Sequence, residues 1–366
     1  MTDSVPWMRL QGSALARGQQ QAARQPGLAP QVRQAVNDRL ASLAPALARP
    51  ATQAWLRAQS ELLQNQDPQG FDESAGIAEG FDIAHDALLT YLHGNVVVDM
   101  AAPPPQPEAD GCTAWAQALG QPGEGARVVK NRDYRGEHGR LQHVFLHHDP
   151  AWGGRRLLCL GSLGSPGAFS SGMNSDGLVV VDTQISTRDH GRGWLRYFLM
   201  TALLRECADV PAALAFIESV SHAGGGSLVL GDHQGRIASV ELGHRQRPAI
   251  VRGQGWVAHT NHCLDAAHIP GYLSNGDDLA ESSTGRLALI EGALAAQPGA
   301  LSTEQAQALM SRHEGASGVC RHPEPGRAGT LSCVIYNTQR RELTVSHGPP
   351  CEGRWSRFGL DGPLRA

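Results

Sequence analysis

The spacing of apolar residues divides the chain into two regions of different periodicity. Up to about residue 100, apolar positions recur every three or four residues, which is the period of a helix that buries one face. This pattern predicts one helix over residues 31–48 and another over residues 72–92. The apolar residues that share one face of the second helix are Ile77, Phe81, Ala84, Leu88 and Leu92.

A proline-rich stretch at residues 101–108 cannot hold a helix or an inner strand, and the pattern changes after it. Short apolar runs bounded by glycine or proline follow, as is typical of an antiparallel sheet. Strands are expected at 112–119, 126–134, 142–148, 156–163 and 178–181, and hairpins at 227–242 and 330–346. Helices are expected at 194–207, 210–220, 283–296 and 303–313. Strands and helices do not alternate singly, so the order predicts a layered α+β fold with helices on antiparallel sheet.

Composition narrows the possible functions. The 366 residues are 41% hydrophobic and 18% charged, which excludes an intrinsically disordered chain. The chain has 31 basic and 35 acidic residues, so its net charge is -4. Without an excess of basic residues, no nucleic-acid partner is expected. The first residues lack a basic and then apolar leader, and no uncharged apolar stretch reaches about 18 residues. We therefore expect a cytoplasmic location and no membrane partner.

The cysteines and histidines give no metal signature. The seven cysteines are widely spaced, odd in number and without a C-x-x-C motif, so reduced thiols are expected. His147 and His148 are adjacent and should point to opposite faces of a strand. Since no Cys/His group has the spacing of a structural zinc site and no phosphate-binding glycine loop occurs, no metal or cofactor is expected.

The segment Gly111-Cys112-Thr113 offers nucleophilic chemistry at the junction of the two regions. A buried cysteine at the start of a strand is the simpler interpretation. However, glycine before cysteine leaves space for the thiol to attack the preceding carbonyl. An N-to-S acyl shift followed by hydrolysis would make Cys112 a new N-terminus. Its α-amino group, with a reference pKa of about 7.7–8.0, could then accept the thiol proton. One residue would thus supply nucleophile and base.

Four ordered motifs support the second interpretation. They are Asp110-Gly111-Cys112-Thr113, Lys130-Asn131-Arg132-Asp133-Tyr134, the stretch 171–178 (SGMNSDGL), and His259-Thr260-Asn261-His262. With them, nearly the whole chain resembles the N-terminal nucleophile hydrolases of the acyl-coenzyme A:6-aminopenicillanic acid acyltransferase family (peptidase family C45). The resemblance implies a four-layer αββα sandwich and a self-catalysed cut between Gly111 and Cys112. Residues 1–111 would remain associated, as a helical α subunit, with residues 112–366, the β-rich catalytic β subunit.

The resemblance also implies roles for individual residues. Asp133 would orient the freed amine of Cys112, and Asn261 would donate to the oxyanion of the tetrahedral intermediate. Supporting roles are assigned to Lys130 as a cation near the thiol, to Asn174 in a mostly structural turn near the site, and to Arg327 as a group that binds either a substrate carboxylate or the surroundings of the nucleophile. Relatives often carry asparagine where this chain has Asp182-Thr183-Gln184, so the second oxyanion donor is open.

Three functions are consistent with these residues. The first is a self-processing amidohydrolase or acyltransferase that acts on a small N-acyl amide or acyl thioester through an acyl-Cys112 intermediate. The second is a papain-like hydrolase that needs no cut and uses Cys112, Asn261 and either His259 or His262. The third is a non-catalytic relative. A denaturing gel separates the first, which gives two bands, from the other two.

Overall fold

The computed structural model describes residues 4–101, 111–121, 123–274, 277–314, 318–322 and 328–364. In these residues the helices are α1 (Ala14–Arg24), α2 (Ala29–Leu47), α3 (Pro50–Gln66), α4 (Pro68–Phe81), α5 (His85–Leu92), α6 (Gly94–Met100), α7 (Arg196–Glu206), α8 (Val210–Ser219), α9 (Asp277–Ala295) and α10 (Thr303–Met310). None of these helices is long and apolar enough to span a membrane.

The strands form two sheets. An eight-stranded sheet contains, in spatial order, β1 (Trp7–Gln11), β4 (Gln142–His148), β5 (Arg156–Ser162), β6 (Ser171–Asn174), β7 (Val179–Thr183), β8 (Ser227–Gly231), β9 (Ile237–Glu241) and β10 (Ala249–Gly253). A seven-stranded sheet contains β11 (Trp256–His259), β2 (Thr113–Ala118), β3 (Ala126–Arg135), β12 (Ala328–Asn337), β13 (Glu342–Ser346), β14 (Trp355–Gly359) and β15 (Gly362–Pro363). All named pairs are antiparallel except β1 with β4, which is parallel.

Alternation of side chains along the strands produces three apolar layers. On β4, Val144 and Leu146 face the other sheet, while Phe145 faces the helices. On the seven-stranded sheet, Val128 faces the first sheet and Val129 faces α9 and α10. Helices therefore cover the outer face of each sheet, and the expected four-layer αββα sandwich is confirmed.

The helix predicted over residues 72–92 is two helices. Asp82 adopts a left-handed conformation with φ of 55° and ends α4, and α5 begins at His85. Phe81 and Leu88 nevertheless bury their side chains in the same core. The apolar period continues across the break because both helices pack on one sheet.

Both predicted hairpins are confirmed. Strand β8 pairs with β9, and β12 pairs with β13. Strand β12 also pairs with β3, and this pairing contains a register shift between Thr330 and Ser332. Such an irregularity re-aims neighbouring side chains. It lies opposite Asp133, one of the predicted site residues.

Candidate active site

Cys112 lies immediately before β2, at the edge of a cleft of about 640 Å³ including open solvent. The residue is buried, with 8% of its surface exposed. Its Sγ lies 3.7 Å from the backbone oxygen of Asp133. The two sequence-predicted residues are therefore neighbours, and both line the cleft.

Asp133 is held at the end of β3 by the strand beside it. The hydroxyl of Thr330 donates to Oδ1 of Asp133 at 2.7 Å. The other carboxylate oxygen, Oδ2, is buried and accepts no hydrogen bond from the described residues. Burial raises the pKa of Asp133 to about 6, against the opposing effects of Arg286, the Thr330 hydrogen bond and Arg321. This carboxylate has one oxygen available to a new donor.

Gly111 has no space for a side chain. A Cβ atom built on it would lie 2.5 Å from Oδ2 of Asp133 and 2.9 Å from Nη1 of Arg321. Glycine at this position thus allows the backbone before Cys112 to lie against the carboxylate. The missing side chain at residue 111 therefore serves the packing around Asp133 and Arg321, in addition to leaving space for attack on the preceding carbonyl.

Arg286, on α9, was not among the residues that the sequence analysis singled out. Its Nη1 donates to the carbonyl oxygens of Gly111 at 2.8 Å and Cys112 at 2.7 Å, and to Oγ1 of Thr113 at 2.9 Å. The guanidinium is buried, and burial lowers its pKa to about 10, although Asp133 acts in the opposite direction. It remains a cation at neutral pH, directed at the bond predicted to be cut.

Asn261 is connected to the nucleophile through Arg286. The Nη2 of Arg286 donates to Oδ1 of Asn261 at 2.9 Å. The side-chain nitrogen Nδ2 of Asn261 is therefore directed away from Arg286. In this structure that nitrogen donates to the backbone oxygen of Gln184 at 3.0 Å. Arg286 thus brings Cys112, Asp133 and Asn261 around one guanidinium. The oxyanion role of Asn261 stays a prediction.

Lys130 also lines the cleft. Its charge is neutralised by Asp182, which lies on β7 in the other sheet. Its Nζ lies 2.5 Å from Oδ1 of Asp182 and 3.0 Å from Oγ of Ser170. Asp182 pairs in turn with Arg196 at 2.8 Å. Asp182 therefore anchors two cations.

Asn174 has a structural environment. Its Nδ2 donates to the backbone oxygens of Leu204 and Cys207, and its Oδ1 accepts from the backbone of Asp176 and Leu178. It fixes the turn after β6 against the end of α7, and it is not among the described residues that line the cleft. Arg327 lies outside the described residues.

The two histidines of the papain-like alternative are bonded to other groups. His259 is buried, with Nε2 at 2.9 Å from Glu241 and Nδ1 at 2.9 Å from the backbone oxygen of Thr260. Nδ1 of His262 lies 2.8 Å from Oγ of Ser283, and burial lowers the pKa of His262 to about 4. Neither is among the described residues that line the cleft.

Cations and aromatic rings line the rest of the cleft. Arg132 is buried there and donates to the neutral side chains of Gln142 at 3.2 Å and Ser162 at 2.9 Å. The described residues hold no carboxylate in an ion pair with its guanidinium. The rings of Phe169 and Tyr197 stack with centroids 4.0 Å apart. The aromatic residues of the lining are Tyr91, Tyr134, Phe169 and Tyr197.

Comparison with known proteins adds the family. Two solved variants of the conjugated bile acid hydrolase from Clostridium perfringens are 10% and 11% identical, with TM-scores of 0.45 and 0.44. Each alignment covers 69% of this chain and 97% of the other. The penicillin V acylase from Agrobacterium tumefaciens is 14% identical over 66% of this chain and 77% of its own, with a TM-score of 0.34. A comparison with curated protein sequences gives no match.

The model of one family matches residues 121–351, a segment that begins after Cys112 and includes Asp133, Asn261 and Arg286. This segment is more than half of the chain. The protein therefore belongs to the acyl-coenzyme A:6-aminopenicillanic acid acyl-transferase family.

Proposed function

We propose that this protein is a self-processing cysteine amidohydrolase or acyltransferase of the C45 type. The uncut chain is a zymogen that cleaves itself between Gly111 and Cys112. Residues 1–111 and 112–366 remain associated as two subunits. The new N-terminal Cys112 then takes the acyl group of a small N-acyl amide or acyl thioester and transfers it to water or to an amine. A cytoplasmic location remains a prediction.

One observation carries the proposal: a buried cation donates to the oxygen of the bond to be cut. In the first step, Sγ of Cys112 attacks the carbonyl carbon of Gly111, and negative charge develops on the carbonyl oxygen. Nη1 of Arg286 lies 2.8 Å from that oxygen. A donor at this position stabilises the oxyanion as it forms, because a buried cation needs little reorganisation.

The remaining steps of the cleavage need only water as a further reactant. The tetrahedral intermediate collapses, the C–N bond breaks, and the nitrogen of Cys112 takes the proton that the thiol gave up. Water then hydrolyses the thioester and leaves a carboxylate on Gly111 and a thiol on Cys112, and the proton released in this hydrolysis converts the amine to an ammonium. The available Oδ2 of Asp133 is adjacent to Gly111 and can accept from the ammonium that forms. The same contact would orient the amine as base during turnover.

The cleft also supports a proposal for the substrate class. Arg132 is a buried guanidinium with neutral partners in the described part of the chain. Burial, and after it the charges of Arg132, Arg135 and Arg39, lower the pKa of His138, another cleft residue, to about 3. Burial disfavours a charge of either sign, but the three positive charges favour an anion. We therefore expect an amide with a carboxylate on one side and an apolar or aromatic acyl group on the other.

Processing is tested with the purified full-length chain on a denaturing gel, with the new N-terminus sequenced. The unmodified chain should give two fragments, the larger beginning at Cys112. Cys112→Ala should remain one chain, and Cys112→Ser should process more slowly because a hydroxyl is the weaker nucleophile. Cys263→Ala, which changes a thiol outside the cleft lining, is the matched control and should process normally. A cut before residue 112 in Cys112→Ala would exclude self-cleavage by this thiol.

Turnover is tested separately with a panel of N-acyl amides. Each is assayed with processed enzyme and with the uncut Cys112→Ala chain. Hydrolysis by an uncut, unmodified chain would favour the papain-like alternative. An uncut chain without activity on any amide or thioester of the panel would favour the non-catalytic one.

A further inference from the structure

Two cysteines and two histidines from three separate segments meet on the outer side of the seven-stranded sheet. His313 follows α10, Cys320 and His322 lie in the segment 318–322 before β12, and Cys351 lies in a short 3₁₀ turn after β13. The ligand atoms of His313, Cys320 and Cys351 all lie within 4.8 Å of one another. This Cys/His group is defined by these four residues.

The ligand atoms of His313, Cys320 and Cys351 are close enough together to share one tetrahedral ion, and His322 contacts one of these three residues, Cys351. With Zn–S of about 2.3 Å and Zn–N of about 2.0–2.1 Å, tetrahedral geometry puts two sulfurs about 3.8 Å apart and a sulfur and a nitrogen about 3.6 Å apart. The Sγ atoms of Cys320 and Cys351 are separated by 3.6 Å, and Nε2 of His322 lies 3.3 Å from Sγ of Cys351. The rings of His313 and His322 are stacked, with centroids 5.1 Å apart, so the two histidines are neighbours.

We propose that His313, Cys320, His322 and Cys351 form a structural zinc site. Thiolate and imidazole are the ligands that Zn²⁺ prefers, and two thiolates neutralise its charge. The site leaves no open position, because all four ligands come from the chain. Binding releases the two thiol protons to solvent. Cys351 and both histidines are exposed, while Cys320 is buried, so the ion can enter from solvent.

The site would tie the segment 318–322 to the catalytic residues. Arg321 lies between two of the ligands, and its backbone oxygen accepts from the backbone nitrogen of Thr330 at 2.9 Å. The hydroxyl of Thr330 donates to Asp133, and the Arg321 guanidinium contacts Ser282 on α9. A metal bound by the residues on either side of Arg321 would therefore fix the position of Arg321 beside Gly111.

The test is the metal content of the full-length Cys112→Ala chain, which does not depend on self-cleavage. The protein is incubated with zinc, freed of loose ions by gel filtration and measured by elemental mass spectrometry. Cobalt is then loaded instead, because tetrahedral cobalt–thiolate centres have intense, characteristic absorption. We expect one zinc per chain and the cobalt–thiolate bands.

Cys351→Ser and His322→Ala change exposed ligands, and Cys263→Ser is the control thiol. Loss of a group that merely orients a ligand weakens metal binding by about 10–100-fold, so loss of a ligand should cost at least that much. The control should keep the zinc and the cobalt bands. Substoichiometric zinc without cobalt–thiolate absorption would overturn the proposal. So would a metal-free chain with a Cys320–Cys351 disulfide, or unchanged affinity in both ligand variants.

Discussion

The guanidinium of Arg286 donates to the carbonyl oxygen of Gly111 across 2.8 Å, from a helix that lies 175 positions further along the chain. The same nitrogen also bonds the carbonyl of Cys112. The peptide bond proposed for cleavage is thus held from the side of α9. The Arg286 donor is already in position in the uncut chain, before the proposed cleavage begins.

Arg286→Gln should slow self-cleavage by about 10²–10³-fold, the range observed when one oxyanion donor is removed. Arg286→Lys keeps the charge but loses the fork of donors, so an intermediate rate is expected. The measurement is the time course of fragment formation after refolding or translation. Circular dichroism of both variants serves as the control for folding. A Gln variant that is folded and processes at the normal rate would exclude Arg286 from the step.

Asp133→Asn should slow processing and remove a pH dependence. The pKa of Asp133 is raised to about 6, so the carboxylate is ionised above that pH and protonated below it. In the unmodified chain the processing rate should rise between pH 5 and 7 as the group becomes able to accept from the forming ammonium. Asparagine cannot ionise, so its slower rate should lack this rise. Equal pH profiles in the two proteins would show that Asp133 does not titrate in the step.

The same substitution should stabilise the uncut chain. The folded pKa of about 6 exceeds the reference value of 3.8. This group therefore favours the folded state fully below pH 4, and that contribution is lost as pH rises through 6, at a total cost of about 3 kcal/mol. In the Cys112→Ala background, Asp133→Asn should raise the free energy of unfolding by about 1–3 kcal/mol at pH 7.5. Little change is expected at pH 4. Denaturant titrations at both pH values measure it, and a loss of stability at pH 7.5 would contradict the argument.

Asn261→Ala should lower kcat of the processed enzyme by about 10²–10³-fold with little change in KM, because an oxyanion donor acts mainly in the transition state. His262→Ala should change kcat only a few-fold, since the amine of Cys112 is the expected base. Steady-state kinetics of the two variants, normalised to the processed fraction, provide the contrast. A loss of several orders of magnitude in His262→Ala, with an uncut active chain, would favour the papain-like alternative.

Arg132→Gln should raise KM for amides that carry a carboxylate and leave the uncharged analogues nearly unchanged. Its buried guanidinium has neutral partners among the described residues, and glutamine keeps hydrogen bonding without charge. A charge-assisted hydrogen bond contributes about 1.5–3 kcal/mol, or roughly 10–100-fold. The comparison of KM for a charged and an uncharged amide measures this directly. Equal effects on both substrates would exclude carboxylate binding by Arg132.

The elements with clear periodicity were predictable from the sequence. Strand β4 was predicted at its observed bounds, and both hairpins pair as expected. The break between α4 and α5 was missed because Asp82 takes a left-handed conformation that its residue type permits but does not require. Strand β10 was missed since its residues are exposed or only partly buried and show no apolar alternation.

The site was predictable only where residues are close in the sequence. Glycine before cysteine, and a carboxylate in a recurring motif, are local signals. Arg286 lies on a helix and is one of many arginines in the chain, and no local sequence signal distinguishes it. Only folding brings its guanidinium to Gly111. The Cys/His group was missed for the same reason, because its spacing of six, one and 28 intervening residues follows no zinc motif.

Strand β1 makes parallel hydrogen bonds with β4, so the part of the chain before Cys112 contributes an edge strand to a sheet built from the part after it. Once the proposed cut is made, this pairing becomes a contact between two polypeptides. Unfolding would then be a dissociation, and mass action would apply to it. The melting temperature of the processed protein should rise with protein concentration, whereas that of the uncut Cys112→Ala chain should not.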